Sequence, residues 1–199
     1  MYLSQFRLNL ANKEAIRDLA NPYEMHRTLK RLVGDEQVLW RLAQQTALVI
    51  TPNEPLWHEL PNDYLREDAK TRDYPIDDLK LEKRALAFEL VANPTRSRKS
   101  KDNPKGRGQR QFIHQEKDQR TWLENQGVRH GFILSEVVVE QQNSIRFTKK
   151  AFGPQITVGS CSFRGSLRVS DETLFKQALK TGIGPAKAFG FGLLTVRPG

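Results

Sequence analysis

The sequence of 199 residues has almost no cysteine and few metal-binding side chains. Cys161 is the only cysteine, and four histidines lie far apart along the chain. A single thiol excludes an internal disulfide and indicates a reducing compartment. One cysteine and four dispersed histidines do not supply the ligand set of a structural zinc site. We therefore expect no bound metal.

Long hydrophobic runs are also missing. No apolar stretch approaches the roughly 18 residues that a membrane-spanning helix needs. The first residues, Met1–Phe6, show the alternation of a strand rather than the architecture of a signal peptide. These features predict a cytoplasmic protein that does not insert into a membrane.

Acidic residues are in the minority. There are 32 Lys and Arg against 23 Asp and Glu, which gives a net charge of +9, and hydrophobic residues make up 38% of the chain. That hydrophobic fraction is enough for a core, and the charge predicts a polyanionic partner, either nucleic acid or an anionic membrane surface. Membrane binding is the less favoured reading, because the cations lie in loops rather than along a long amphipathic helix.

Hydrophobic periodicity and turn residues predict two similar halves. The first half is expected to form strands and helices in the order β-α-β-β-α-β over residues 2–10, 21–33, 38–42, 47–51, 55–65 and 70–78. The second half repeats this order over residues 85–91, 116–126, 131–141, 156–169, 171–180 and 193–196, with Ser170 as the N-cap of its last helix. Each unit has the size of a four-stranded antiparallel sheet with two helices on one face. We predict an α+β protein of two tandem ferredoxin-like domains, 1–82 and 83–199, with a boundary near 80–85.

The helix predicted over residues 21–33 has clear start signals. Asn21 suits the N-cap, Pro22 the first helical position, and Glu24 the third, where its carboxylate can reach back as in a capping box. At 100° per residue the helix has two faces. The apolar face carries Met25, Leu29, Leu32 and Val33. The polar face carries Tyr23, His26, Arg27 and Lys30, with Arg31 at its edge.

This polar face suits cleavage of RNA by its own 2′-hydroxyl. The reaction needs a base for the 2′-hydroxyl, an acid for the departing 5′-oxygen, and positive charge for the phosphorane. Histidine exchanges protons near neutral pH, tyrosine can orient the imidazole or the nucleophile, and nearby cations can stabilise developing charge. The alternative is a solvated helix face on which the aromatic ring and His26 merely pack, since a lone histidine is weak evidence for catalysis.

Three further segments have the composition of phosphate-binding elements. Residues 94–112 carry one acid, Asp102, and seven cations, Arg96, Arg98, Lys99, Lys101, Lys105, Arg107 and Arg110. Such a block is usually mobile until it meets its partner, and it reads as a phosphate clamp or, alternatively, as a solvated loop. Residues 146–154 predict a basic hairpin with Arg146, Lys149 and Lys150 that can enter a groove or brace the base of a stem.

The third segment is a glycine-rich stretch, residues 182–192. It follows a predicted helix and precedes a strand, so it is neither a Rossmann nor a Walker fingerprint. Backbone N–H groups around Gly184, together with Lys187, could cradle phosphates. The alternative is that Gly182 caps the helix and the remainder forms a tight turn, although a cap explains one glycine better than four.

Four motifs occur together in an order that resembles one family. They are Met1–Ser4, Pro22–His26, Leu90–Pro94 with its basic sequel, and Gly182–Leu194. The chain resembles the CasE-type (Cse3) CRISPR RNA endoribonucleases of the type I-E system over its whole length. The resemblance implies ferredoxin-like domains of the repeat-associated type, and no metal or small-molecule cofactor.

The resemblance also implies an activity. The family cleaves precursor CRISPR RNA at the 3′ base of a repeat stem-loop, leaving a 5′-hydroxyl and a 2′,3′-cyclic phosphate or 3′-phosphate. The enzyme then stays on the hairpin, with the other subunits of the Cascade complex as partners. The catalytic histidine and its partner tyrosine carry over to His26 and Tyr23. A lysine of related proteins aligns with Arg31, beside Lys30, which leaves open which cation assists, because ammonium and guanidinium groups are not interchangeable.

Two function classes follow from the sequence. The first is the endoribonuclease, with Arg27 assigned mainly to holding the phosphate backbone. The second is a non-catalytic RNA-hairpin-binding protein, since two RRM-like sheets with basic loops would bind hairpins without cutting them. The pair Tyr23 and His26 on a capped helix favours the enzyme.

Overall fold

In the computed structural model of the chain, each half forms its own four-stranded antiparallel sheet. The structure describes residues 1–34, 36–81, 85–98, 108–149 and 152–199, and only the backbone of 141–143. The two sheets confirm the prediction of an α+β protein with two ferredoxin-like domains. The position of the boundary between them stays a prediction.

The N-terminal half contains strands β1–β4 and helices α1 and α2. Their bounds are β1 Tyr2–Arg7, α1 Lys13–Ala20, α2 Pro22–Val33, β2 Leu39–Ala43, β3 Thr46–Thr51 and β4 Lys70–Asp73. The strand order is β2-β3-β1-β4, with neighbouring strands antiparallel. The predicted strands are confirmed, and the helix predicted from Asn21 is α2.

Helix α1 was not predicted, and the helix predicted over 55–65 is wrong. That segment contains only the short 3₁₀ turn Trp57–Glu59. Pro61 prevents a helix from continuing through it. The Leu56 N–H instead donates to the Leu32 carbonyl at 2.9 Å, so the segment docks on the end of α2.

The C-terminal half contains the other strands and helices of the described residues. Their bounds are β5 Ala85–Ala92, β6 Thr95–Arg98, β7 Gln109–Phe112, α3 Glu116–His130, β8 Phe132–Thr148, β9 Gln155–Val169, α4 Glu172–Thr181 and β10 Leu194–Pro198. The main sheet has the order β10-β5-β9-β8, and β8 and β9 form the predicted basic hairpin.

Two details of this half differ from the prediction. The N-cap of α4 is Asp171 rather than Ser170, because the Asp171 carboxylate accepts the Leu174 N–H at 2.9 Å. The basic segment 94–112 was expected to be mobile, yet its two ends pair as an antiparallel ribbon of β6 and β7, from Thr95–Phe112 to Arg98–Gln109. The expected clamp residues Lys99, Lys101, Lys105 and Arg107, and Lys150 of the hairpin, lie outside the described residues.

Each sheet packs against its helices through an apolar core, and a third cluster joins the two halves. Leu39, Ile50 and Leu193 form this third cluster, with Met1 and Tyr74 packed against it. Burying one such side chain stabilises the fold by about 1.5–3 kcal/mol. The cluster therefore fixes β2 of the N-terminal sheet against the segment that follows the glycine-rich stretch.

Candidate active site

Helix α2 begins where the two halves of the chain meet. The Asn21 side-chain carbonyl caps the helix by accepting the Tyr23 N–H at 3.0 Å, and Pro22 occupies the first turn. The Asn21 amide also donates to the Thr148 carbonyl at the end of β8, at 3.0 Å. One residue therefore starts the helix and ties it to the basic hairpin.

The predicted capping box does not form. The Asn21 N–H donates to the Arg17 carbonyl at 3.0 Å, so it is already used by the end of α1. The Glu24 carboxylate instead pairs with Arg27, whose Nη1 lies 3.1 Å from Oε2. The exposed Arg27 guanidinium is thus held along the helix surface by its neighbour one turn earlier.

The two faces of α2 are arranged as the sequence predicted. Met25, Leu29, Leu32 and Val33 are buried, and so is Thr28. Tyr23, His26 and Lys30 are half-buried, whereas Arg27 and Arg31 are exposed. The apolar face anchors the helix in the N-terminal core, so the polar side chains have a fixed base.

His26 has the environment of a neutral imidazole. Its Nδ1 is buried and has no hydrogen-bond partner among the described residues. Burial lowers the pKa of His26 below its ordinary value, and the positive charge of Lys30 lowers it further. A neutral imidazole at neutral pH can accept a proton, and the buried position of Nδ1 leaves Nε2 as the nitrogen for a substrate.

The Tyr23 ring is oriented by aromatic and cationic neighbours. It packs against the cluster of Phe147, Val158 and Phe191. Lys149 Nζ lies 5.6 Å from the ring centroid, and Arg27 Cζ lies 6.0 Å from it, which is within the range of cation–π attraction. Tyr23 and His26 are not hydrogen-bonded to each other, so the phenol is positioned independently of the imidazole.

Of the two candidate cations, the structure associates Lys30 with His26. Lys30 Nζ donates to the neutral Glu36 carbonyl at 2.8 Å, which holds the ammonium beside the helix. Its charge lowers the pKa of His26, whereas Arg31 is exposed to solvent.

The glycine-rich stretch lies against α2 through its turn Lys187–Phe189. A methyl group at Gly190 would lie 2.9 Å from the Trp40 ring, and one at Gly184 would lie 2.9 Å from the Trp122 ring. Both glycines have positive φ, 84° and 81°. Positive φ angles and close packing on two tryptophans therefore explain these two glycines, a reason that the sequence did not predict. The predicted phosphate cradle stays a prediction.

A basic groove of about 670 Å³ runs from the glycine-rich stretch to the ribbon of β6 and β7. It brings together three predicted residues, Gly184, Lys187 and Arg110, and two that the sequence reasoning missed, Trp122 and Arg129. Its described lining contains no acidic side chain. Such a concentration of positive charge favours an anionic ligand.

The charge of this groove also acts on a second histidine that the sequence reasoning missed. Burial lowers the pKa of His130, and the charges of Lys187 and Arg129 lower it further. Burial lowers the pKa of Lys187 as well. The predicted end of α3 at residue 126 placed Arg129 and His130 outside the helix, which is why neither was assigned to this surface.

The other predicted phosphate contacts lie on two strands of different sheets, β6 and β8. Arg96 and Arg98 are exposed on β6, where Arg96 Nη1 lies 3.9 Å from Asp118 Oδ2. Arg146 is exposed on β8. Among the described residues no group of three His, Cys, Asp or Glu side chains could hold a metal ion, and no helix there is long and apolar enough to cross a bilayer.

Comparison with known proteins matches this sequence and fold to one family. A family model described as CRISPR associated protein matches residues 1–198. The CRISPR-associated endoribonuclease Cse3 of Thermus thermophilus is 34% identical over 220 residues, which covers 100% of both chains.

Two solved structures show the same likeness. A CRISPR endoribonuclease Cse3 bound to a 19-nucleotide RNA has a TM-score of 0.84 and 34% identity, with 100% of each chain covered. The Thermus thermophilus Cse3 bound to an RNA representing a pre-cleavage complex has a TM-score of 0.81 and 33% identity, covering 99% of this chain and 98% of that one.

Proposed function

We propose a mechanism and a cleavage site for this chain, which belongs to the CRISPR-associated protein family and is an endoribonuclease that processes CRISPR RNA. The substrate we propose is the repeat stem-loop of precursor CRISPR RNA, cut at the 3′ base of the stem. The observation that carries the proposal is His26, a half-buried imidazole with a lowered pKa beside the charge of Lys30.

The reaction we propose needs no metal. His26 Nε2 accepts the proton of the 2′-hydroxyl, and the 2′-oxygen then attacks the adjacent phosphorus. The bond from phosphorus to the 5′-oxygen breaks, and that oxygen takes up a proton, from the protonated His26 or from water, to become a 5′-hydroxyl. The other product ends in a 2′,3′-cyclic phosphate, which water can open to a 3′-phosphate.

The neighbours of His26 have separate roles in this mechanism. Lys30 stabilises the negative charge that the phosphorane gains, which is the kind of interaction that accelerates a chemical step. Tyr23 orients the reacting nucleotide, since its ring is held by the aromatic cluster and by the cations of Arg27 and Lys149. Arg27 holds the phosphate backbone from the exposed side of the helix.

The basic groove and the two hairpins suit the RNA stem. Arg110, Arg129 and Lys187 face one groove, and Arg146 and Lys149 follow the hairpin that is tied to Asn21. Contacts of this kind supply affinity through release of counterions and fix the register of the RNA. We propose that they also keep the enzyme on the mature hairpin, as a subunit of Cascade.

The test is single-turnover cleavage of repeat RNA by the His26→Ala variant. We expect a loss of about 10²–10⁴-fold, the usual contribution of general acid–base catalysis, with RNA binding retained. His58, an exposed histidine on the 3₁₀ turn, supplies the matched control, and His58→Ala should cut like the wild type.

The same assay distinguishes the two function classes. Cleavage by the wild type should continue in EDTA, and its rate should rise with pH and level off with a midpoint below 6.5, because the neutral form of His26 is the base. A wild type that binds the hairpin and never cuts it would establish the non-catalytic binding protein. Unchanged cleavage by His26→Ala would refute the role of His26.

A further inference from the structure

A small cleft lies beside the start of α2, between the two halves of the chain. Its volume is about 270 Å³. Pro22 and Trp40 line it from the N-terminal half, and Ile145, Arg146, Phe189 and Phe191 line it from the C-terminal half. The proposed function assigns no ligand to this cleft, although Arg146 is one of the proposed RNA contacts.

The lining is aromatic, and one lining residue, Trp40, carries a buried hydrogen-bond donor that no described residue accepts. Trp40 is 2% exposed, and its indole N–H has no partner among the described residues. A buried donor without an acceptor costs free energy, which a ligand with an acceptor atom would recover. A planar, neutral ligand with polar edges therefore matches the cleft.

The interior of the cleft and its rim differ in charge. Asp18 is one of the lining residues, and its buried carboxylate accepts hydrogen bonds from Arg17 Nε, Thr28 Oγ1 and Tyr64 OH at 2.8, 2.6 and 2.8 Å. This negatively charged carboxylate, which these hydrogen bonds hold in place, disfavours an anion inside the cleft. Arg146 is the one cation among the lining residues that the structure describes, so it can pair with a phosphate while a neutral group enters.

The cleft lies close to the position that we propose for the reacting phosphate. Pro22 precedes His26 by four residues, which is about one helical turn, or roughly 6 Å along the axis. Phe189 belongs to the aromatic cluster that holds Tyr23. A nucleotide adjoining the phosphate at His26 therefore has its base within reach of the cleft.

We propose that this cleft binds the base of an unpaired nucleotide next to the cleaved bond. The base lies against the aromatic rings, an acceptor on its edge takes the Trp40 N–H, and Arg146 contacts its phosphate. Unpaired RNA bases are commonly splayed out and stacked on aromatic side chains in this way. The volume lies below the roughly 300 Å³ at which pockets for drug-sized ligands begin, which favours a single base. This inference rests on the proposed function.

The test uses an RNA hairpin with a 2′-deoxy nucleotide at the cleavage site, so that binding is measured without cutting. A series of such hairpins carries one abasic nucleotide at each unpaired position on either side of that site. For the wild type we expect one abasic position to weaken binding by about 5- to 150-fold, the usual value of stacking one base. A series in which every position changes affinity by less than about twofold would overturn the proposal.

A blocking variant tests the location. Ala20 is exposed at the end of α1 and lines the cleft, so Ala20→Phe should fill the opening. We expect this variant to bind the intact hairpin more weakly and to lose the discrimination between the intact and abasic hairpins. Ala11→Phe, at an exposed alanine before α1, should behave like the wild type. Full discrimination retained by Ala20→Phe would place the base elsewhere and overturn the proposal.

Two controls keep the outcomes separate. Trp40→Phe keeps an aromatic ring and removes the N–H, so it should reduce the abasic effect even if Ala20→Phe does not fold. Cleavage of unmodified RNA by the wild type is measured in parallel. If the wild type cleaves RNA but no abasic position weakens binding, only the proposal that the cleft binds a base is refuted. If the wild type does not cleave RNA, the proposed function is refuted, and the binding series alone tests whether the cleft binds a base.

Discussion

Replacing Lys30 tests whether the charge beside His26 acts in the transition state. The ammonium is half-buried, and its described hydrogen bond is to a neutral carbonyl, that of Glu36, at 2.8 Å. Among the residues that the structure describes, no carboxylate forms an ion pair with this ammonium, and its positive charge contributes to the lowered pKa of His26. A phosphorane forming at His26 lies in the same field.

The expected loss for Lys30→Ala is that of one oxyanion donor. Such a donor contributes about 2–4 kcal/mol, which corresponds to a decrease of roughly 30- to 900-fold in the rate of the chemical step. A second effect follows from the pKa. Removal of the positive charge raises the pKa of His26 toward its ordinary value, so the rising limb of the pH–rate profile should move to higher pH.

The assay is single-turnover cleavage at saturating enzyme across a range of pH. Arg31→Ala is the matched control, because Arg31 is the adjacent cation on the same helix but is exposed. We expect Arg31→Ala to lose less rate and to keep the wild-type midpoint. A slow Arg31→Ala with an unaffected Lys30→Ala would show that the guanidinium supplies the charge.

Two further predictions concern stability and binding. Tyr64→Phe removes a 2.8 Å hydrogen bond to the buried Asp18 carboxylate and should lower the free energy of unfolding in urea by about 1.5–3 kcal/mol; an unchanged value would show that Asp18 is satisfied without it. Arg96→Ala with Arg98→Ala should weaken hairpin binding more than it slows bound RNA, and reduce the salt slope by about 0.7–0.9 for each lost contact. Lys13→Ala, at an exposed site on α1, is the control for the loss of charge alone. If the wild type, the Arg96 and Arg98 variant and Lys13→Ala have equal salt slopes, the ribbon does not contact RNA and is only a solvated insertion.

Helix α2 could be predicted from signals in its own segment, whereas α1 could not, because its buried face depends on contacts with distant residues. The cap at Asn21 and the spacing of Met25 and Leu29 are properties of one short segment, so the sequence displays them. The buried side of α1 contains Asp18, a charged residue whose partners Thr28 and Tyr64 lie 10 and 46 residues away. A carboxylate on the buried face breaks the apolar pattern from which a helix is recognised.

The groove and the cleft depend on contacts that no local pattern contains. Trp122 meets Gly184, and Trp40 meets Gly190, across separations of 62 and 150 residues. Each tryptophan reads as a core residue in its own segment, and each glycine reads as a turn residue. The sequence therefore predicted that the glycine-rich stretch is special, but not that its glycines are needed to fit two aromatic rings.

The same reasoning explains why the polar face of α2 was ambiguous in the sequence. A histidine on a solvated helix would titrate at its ordinary pKa and face no particular surface. Here Asn21 ties the helix start to Thr148, Lys149 lies over the Tyr23 ring, and the turn Lys187–Phe189 lies against α2. The N-terminal half thus supplies the imidazole and the ammonium, while the C-terminal half supplies the surface that orients the phenol. The chemistry we propose belongs to the junction of the two domains rather than to either one.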